Sequence, residues 1–244
     1  EGTLGINVHI DYGQGQGWGG GNSIVHSTSD IDVDDVPGLA AIHMDSSRVG
    51  YFRYGVMGYD FKGGFVSGTA YFPGWHQALR VGCSGTPLAM NAPHWKMAAV
   101  YTHELGHNLH LGHGGPSNSC NYKPNYSSIM NYLYTTDGQV HPCADDVRQY
   151  WTYSEGGLPN LNESSLNENG GFCGDDPVDW NGNGAIENSV SQDINSSDPN
   201  QITYCGGTIS TLEDLDDWSG LDLGIGLPTP NSYVPMGSPI TCTF

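Results

Sequence analysis

His103, Glu104, His107, His110 and His113 fall within the eleven residues His-Glu-Leu-Gly-His-Asn-Leu-His-Leu-Gly-His. A four-residue spacing stacks His103 and His107 on one face of a helix. Two imidazoles so placed can reach one zinc ion, and Glu104 between them aims a carboxylate at the open side of the metal. A catalytic zinc takes three protein ligands and a water, so a third is needed. On a continuous helix His110 lies roughly 10.5 Å along the axis from His103. With zinc–nitrogen bonds of about 2.1 Å, one ion does not span that set. His113 fits if the helix stops near 110 and the chain turns back, with Gly112 just before it. The expected zinc ligands are therefore His103, His107 and His113.

Ser127-Ser128-Ile129-Met130-Asn131-Tyr132 follows, with Met130 seventeen residues after His113. On these two stretches the chain resembles the metzincin clan of zinc endopeptidases. Their motif H-E-x-x-H-x-x-G-x-x-H precedes a tight turn that carries a methionine beneath the zinc. The flanking sequence is similar, more loosely, to secreted bacterial metzincin-like proteins. The resemblance implies that Met130 is an apolar floor and that Tyr132 stands beside the metal. It implies hydrolysis of protein or peptide substrates, with zinc polarising a water and the scissile carbonyl. Glu104 would take the water's proton and pass it to the leaving amine. Tyr132 would ligate zinc at rest and then donate to the oxyanion. One position departs from the motif, because His110 stands where the family has glycine. Glycine suits a chain leaving a helix through a left-handed conformation, and histidine is among the few other residues enriched there. His110 is thus expected at positive φ and off the zinc. The alternative is a helix one turn longer, with Gly112 alone making the turn.

The elements that must position these residues can be sketched. The zinc helix is expected to open at Asn91 as N-cap, with Pro93 in its first turn. Ala98, Ala99, Val100 and Leu105 supply its apolar face. Gly68-Thr69-Ala70-Tyr71-Phe72-Pro73-Gly74 is β-prone, glycine-bounded and carries an edge-compatible proline. In metzincins an edge strand over the cleft pairs with the substrate backbone, so Gly68, Thr69, Ala70 and Tyr71 are candidate substrate-binding residues. The competing reading is an ordinary core strand. Residues 3–12 alternate like a strand, residues 13–22 read as a glycine-rich loop, and 38–44 and 50–58 read as buried strands. His9, His43 and His76 read as packed or surface residues. The expected fold is α+β: a mixed twisted sheet and zinc helix in an upper lobe, above a loop-rich lower lobe. Gly114-Gly115-Pro116 divides one catalytic domain, 1–244, into lobes 1–115 and 116–244.

In the second lobe, residues 158–170 either wall the pocket or merely connect. Asp179-Trp180-Asn181-Gly182-Asn183-Gly184-Ala185-Ile186-Glu187 resembles the first part of a calcium loop, D-x-[DN]-x-[DN]-G. Val190 occupies the place of the usual twelfth-position carboxylate, for which Asp193 is a substitute. Asp179, Asn181, Asn183, Ala185, Glu187 and Asp193 are the candidate calcium ligands, against a plain Asn-Gly turn.

Seven basic and 26 acidic residues give a net charge of −19, which argues against nucleic acid or an anionic membrane as partner. Acidity suits solubility in a saline extracellular setting. No run of 18 apolar residues exists for a membrane span. No signal peptide is visible, so Glu1 is expected to begin a processed, secreted form that acts as a monomer. The six cysteines suggest up to three disulfides in an oxidising compartment, with Cys120–Cys143 and Cys173–Cys205 paired by proximity in sequence. Sequons stand at Asn125, Asn162 and Asn195. Two other functions compete with the peptidase: an inactive, calcium-stabilised adhesion module of the same fold, and a structural zinc protein.

Overall fold

The computed structural model describes residues 11, 21, 23–24, 33–58, 67–72, 74–80, 94–118, 120–135, 138, 143, 150–174, 176–195, 207–224 and 232–235. In chain order the elements are α1 (Val36–His43), β1 (Tyr54–Gly58), β2 (Gly68–Phe72), β3 (His76–Arg80) and α2 (His94–Asn108). The two-residue strands β4 (Leu111–Gly112), β5 (Gly115–Pro116), β6 (Leu161–Asn162) and β7 (Thr211–Leu212) follow, then α3 (Asp217–Gly220) and β8 (Ser232–Pro235). This is an α+β arrangement. None of the described helices is long and apolar enough to cross a membrane.

The main sheet has the order β1-β3-β2-β8. β1 runs parallel to β3, while β2 is antiparallel to both of its neighbours. α2 lies across β2 and β3. Asn108, at the end of α2, donates through Nδ2 to Tyr71 O at 2.9 Å and His76 O at 3.1 Å. One amide thus fastens the helix end to both sides of the β2–β3 connection.

Residues 38–44 are not a strand, since 36–43 form α1. Asp34 and Asp35 precede it, Pro37 lies in its first turn, and Val36, Leu39 and Ala40 are its buried residues. That i, i+3, i+4 spacing is helical, whereas a short apolar run by itself does not distinguish helix from buried strand. Val36 and Leu39 pack with Val56 of β1 and Ala78 of β3. β1 begins only at Tyr54; Tyr51 and Phe52 lie exposed in the turn before it. The expected strand at 3–12, the glycine-rich loop and the N-cap at Asn91 fall almost wholly outside the described residues.

Two further clusters fill the second half. Ala99 of α2 packs with Leu111, Tyr126, Ile129, Met130 and Tyr153. Leu161, Leu166, Val190 and Leu212 form the other, so the 158–170 segment contributes core of its own. Cys143 is bonded to Cys173, which rules out both expected pairings. Their Cα atoms lie 5.3 Å apart although thirty residues separate them in sequence, so nearness along the chain was a poor guide. Cys120 is disulfide-bonded as well. Of the three sequons, Asn125 and Asn195 are fully buried and Asn162 is exposed.

Candidate metal centre

α2 carries His103, Glu104 and His107, all three with no exposed surface. Regular helix ends at Asn108. Leu109 N–H still reaches Leu105 O at 3.0 Å and His110 N–H reaches His107 O at 3.1 Å. His110 then takes a φ of 78°, the left-handed stop expected of it. Carbonyls left over at the helix end find tertiary donors: Gly74 N–H for Asn108 O and Asp222 N–H for Leu109 O. β4 and β5 form a minimal hairpin, Gly112 opposite Gly115. A Cβ on Gly112 would meet Asn118 O at 2.1 Å, so only glycine lets the chain fold this tightly.

The reversal brings His113 back over the helix. Its ring centroid lies 5.3 Å from that of His103 and 4.8 Å from that of His107. One ring nitrogen from each of the three falls within 4.8 Å of the others. His110 points away: its Nε2 pairs with the Ser117 hydroxyl at 3.2 Å and its ring packs on Phe72 at 5.3 Å. Its hydrogen-bond partner is thus a side chain.

Outer hydrogen bonds set the tautomers. His103 Nδ1 faces Ile129 O at 2.9 Å and His107 Nδ1 faces Leu111 O at 2.8 Å. A carbonyl only accepts, so both Nδ1 atoms carry the proton and both Nε2 atoms present a lone pair. The Nε2 atoms of His103, His107 and His113 are buried without a hydrogen-bond partner. Converging lone pairs cannot satisfy one another, whereas a cation among them satisfies all three. A tetrahedral ion with bonds of about 2.1 Å asks for nitrogens ~3.4 Å apart, within the bound the cluster meets. No fourth His, Cys, Asp or Glu among the described residues joins it. That is the donor set of an open metal site.

Burial governs the electrostatics. It lowers the His103 imidazole to about 4, and it holds His107 and His113 well below the usual range, with neighbouring imidazoles adding to the effect. All three are neutral donors at neutral pH. Burial also pushes the Glu104 carboxyl well above its usual range, and neither of its oxygens has a hydrogen-bond partner. Gly68 of β2 lies directly against it: a Cβ there would sit 2.6 Å from Glu104 Oε1.

Met130 is fully buried under the helix. Its turn is braced from several sides: Ser128 Oγ accepts the Met130 N–H at 3.1 Å, and Thr135 donates its hydroxyl to Ile129 O at 2.9 Å. Asn131 Nδ2 donates to Lys123 O at 2.6 Å and Tyr126 O at 2.9 Å. The Tyr132 ring stands 4.3 Å from His113 and 5.7 Å from His103, half-buried at the rim of the cluster.

Three supporting residues escaped the sequence reading. Asp217 accepts from Tyr126 Oη at 2.7 Å, Ser128 Oγ at 2.6 Å and Ser154 N–H at 2.9 Å, and burial raises its carboxyl to about 6. Lys123 donates to Gly114 O at 2.7 Å and Glu213 O at 2.6 Å, fastening the chain beside His113, and burial lowers it to about 8. Asn121 Oδ1 accepts the N–H groups of both Tyr122 and Tyr132. Each is a lone polar residue, Asp217 at the start of the one-turn helix α3 and the other two in irregular chain, with no spacing to announce it.

The structure also draws together part of the 179–187 loop. Asp179 accepts Asn183 N–H and Gly184 N–H, Asn181 Oδ1 accepts Asn183 N–H, and Asn183 Oδ1 accepts Ala185 N–H. The Asn181 and Asn183 amides both donate to Glu187 Oε2. Asp193 instead accepts Gly207 N–H at 2.7 Å. Buried Glu168, also unforeseen, accepts Trp180 N–H at 2.9 Å and Glu187 N–H at 2.8 Å and so pins both sides of the loop.

Comparison of the chain with protein-family models, with curated proteins and with solved structures finds no match.

Proposed function

We propose that this chain is a secreted zinc endopeptidase of the metzincin type. One observation carries the reading: three buried, unpartnered imidazole nitrogens converge beside a buried, unpartnered carboxylate that shares a helix with two of them. His103, His107 and His113 would hold the zinc. Bound there, zinc supplies Lewis-acid polarisation of a carbonyl and a water of lowered pKa. Glu104 receives the proton of the attacking water and delivers it to the leaving amine, a role suited to a carboxyl whose affinity for protons burial has raised. The Tyr132 phenol, beside His113, donates to the developing oxyanion. Met130 takes no proton and supports the helix from below. The substrates are extended segments of proteins or peptides.

An adhesion module without catalysis has no use for a buried carboxylate that lacks any partner. A structural zinc site is usually closed by a fourth protein ligand, often cysteine. We propose that the 179–187 loop takes calcium through Asp179, Asn181, Asn183 and Glu187, side chains already linked through the loop's hydrogen bonds.

Glu104→Gln tests the peptidase reading. Glu104 is not a ligand, so the variant should bind zinc in the same stoichiometry as the parent. Hydrolysis of a denatured protein should fall by at least about a hundredfold, at the low end of what general base catalysis contributes. An unchanged rate removes Glu104 from the chemistry, and no hydrolysis by the zinc-loaded parent removes the reading itself.

A further inference from the structure

β2 reads in the sequence either as an edge open to a peptide or as an ordinary core strand, and it has a neighbour on each side. β3 pairs with Gly68, Thr69 and Ala70. On the other side β8 runs antiparallel, with Thr69 opposite Pro235, Ala70 opposite Val234, Tyr71 opposite Tyr233 and Phe72 opposite Ser232. We propose that β8 is a displaceable strand of the chain's own, seated where a substrate peptide would add, so that the protein restrains its own site. This rests on the peptidase reading.

The placement follows from β2. Gly68 lies against Glu104, and the Phe72 ring meets the His107 ring edge-on at 6.1 Å between centroids. β2 therefore travels along the helix from the carboxylate to the second histidine of the cluster. A strand paired to its outer edge runs about 4.8 Å beyond it along the same line. An incoming peptide that adds to β2 must use the outward-facing N–H and C=O groups among residues 69–72, the edge along which β8 already pairs. The two occupants exclude one another.

β8 is built to be removable. It is four residues long and, among the described residues, forms the last strand of the sheet with β2 as its only sheet neighbour. Pro235 lacks the N–H needed to carry the ladder further. Short terminal strands of this kind hold by few main-chain bonds, so a longer peptide with side chains suited to the cleft can compete for the edge.

The test opens the edge in two ways in the zinc-loaded full chain. Val234→Pro deletes a β8 N–H. Separately, a protease-cleavable sequence placed within 225–231 is cut after folding, so the same preparation is compared before and after, with zinc content checking integrity. Opening should raise kcat/KM on an extended peptide substrate about tenfold or more. A synthetic peptide of residues 230–237 should then restore inhibition by raising KM while kcat stays level. Equal kcat/KM in the parent and both opened forms, with the loss on Glu104→Gln intact, makes β8 a fixed strand and overturns the proposal. If no form hydrolyses substrate, the peptidase reading fails separately and binding of the fluorescently labelled 230–237 peptide decides. Binding to the opened forms but not to the parent supports the assignment of the edge, and equal binding or none overturns it.

Discussion

A Cβ on Gly106 would lie 2.3 Å from Met130 Sδ, so the helix and the methionine turn touch where one has no side chain and the other presents its thioether sulfur. The contact falls between His103 and His107, one residue before the second. Gly106→Ala must push the turn or the helix aside, and overpacking of a tight core commonly costs about 1–3 kcal/mol. The turn also supplies Ile129 O to His103 Nδ1, so a displaced turn loosens a ligand. The variant should melt several degrees lower and bind zinc more weakly. Unchanged zinc affinity would show that the turn and the ligands are mechanically independent.

His110 and His113 are separable by substitution. At a φ of 78° a Cβ is strained, and His110 recovers part of that cost through Ser117 and Phe72. His110→Gly relieves the strain and gives up those contacts, so stability should shift by less than about 1 kcal/mol, with zinc and activity retained. His113→Ala removes a donor from a three-donor site and should lose most of both. Zinc lost from the first variant and kept by the second would reverse the ligand assignment.

The same pair shows how much of the site the sequence carried. Four-residue spacing, the reach of a zinc bond and the φ tolerance of histidine together placed His103, Glu104, His107, His110 and His113, because all of that geometry is local. What failed or stayed open depends on distant chain. The apolar run at 38–44 suits a helix or a strand equally until its packing on Val56 and Ala78 is known. The outer edge of β2 is covered by residues some 160 positions later, and no local signal in 68–74 announces them. Cys143 meets Cys173 rather than its sequence neighbour Cys120 for the same reason. Asp217 and Lys123 act through burial and hydrogen bonds from three or more segments, which no spacing rule records.

Calcium in the 179–187 loop is open to a thermal test. Asp179 now spends its two oxygens on Asn183 N–H and Gly184 N–H, and the Asn181 and Asn183 amides converge on Glu187. If the loop binds calcium in the native state only, the melting temperature should rise with calcium concentration. At a hundredfold excess over Kd the gain is about 2.7 kcal/mol. Asp179→Ala should abolish that increment while leaving zinc content unchanged. An identical increment in the variant would move the calcium elsewhere.

Glu104 gives the zinc-free protein a pH signature with a definite sign. Burial raises its folded pKa well above the ordinary glutamate value of 4.5, so the folded state keeps a proton that the unfolded state gives up first. The stability this contributes is complete below 4.5 and drains away as pH rises through the window up to the raised folded pKa. Glutamine has the same shape and no proton to lose. In chelator-treated protein the stability of Glu104→Gln relative to the parent should therefore climb with pH, by up to about 1.4 kcal/mol per unit within that window. The three histidines shift the opposite way, since burial lowers them, but they are present in both proteins and largely cancel in the difference. Zinc should flatten the climb, because a cation beside Glu104 favours its ionised form and removes the cause of the upward shift. A difference independent of pH in the zinc-free proteins would mean that Glu104 is ionised, and therefore solvated, in the folded chain.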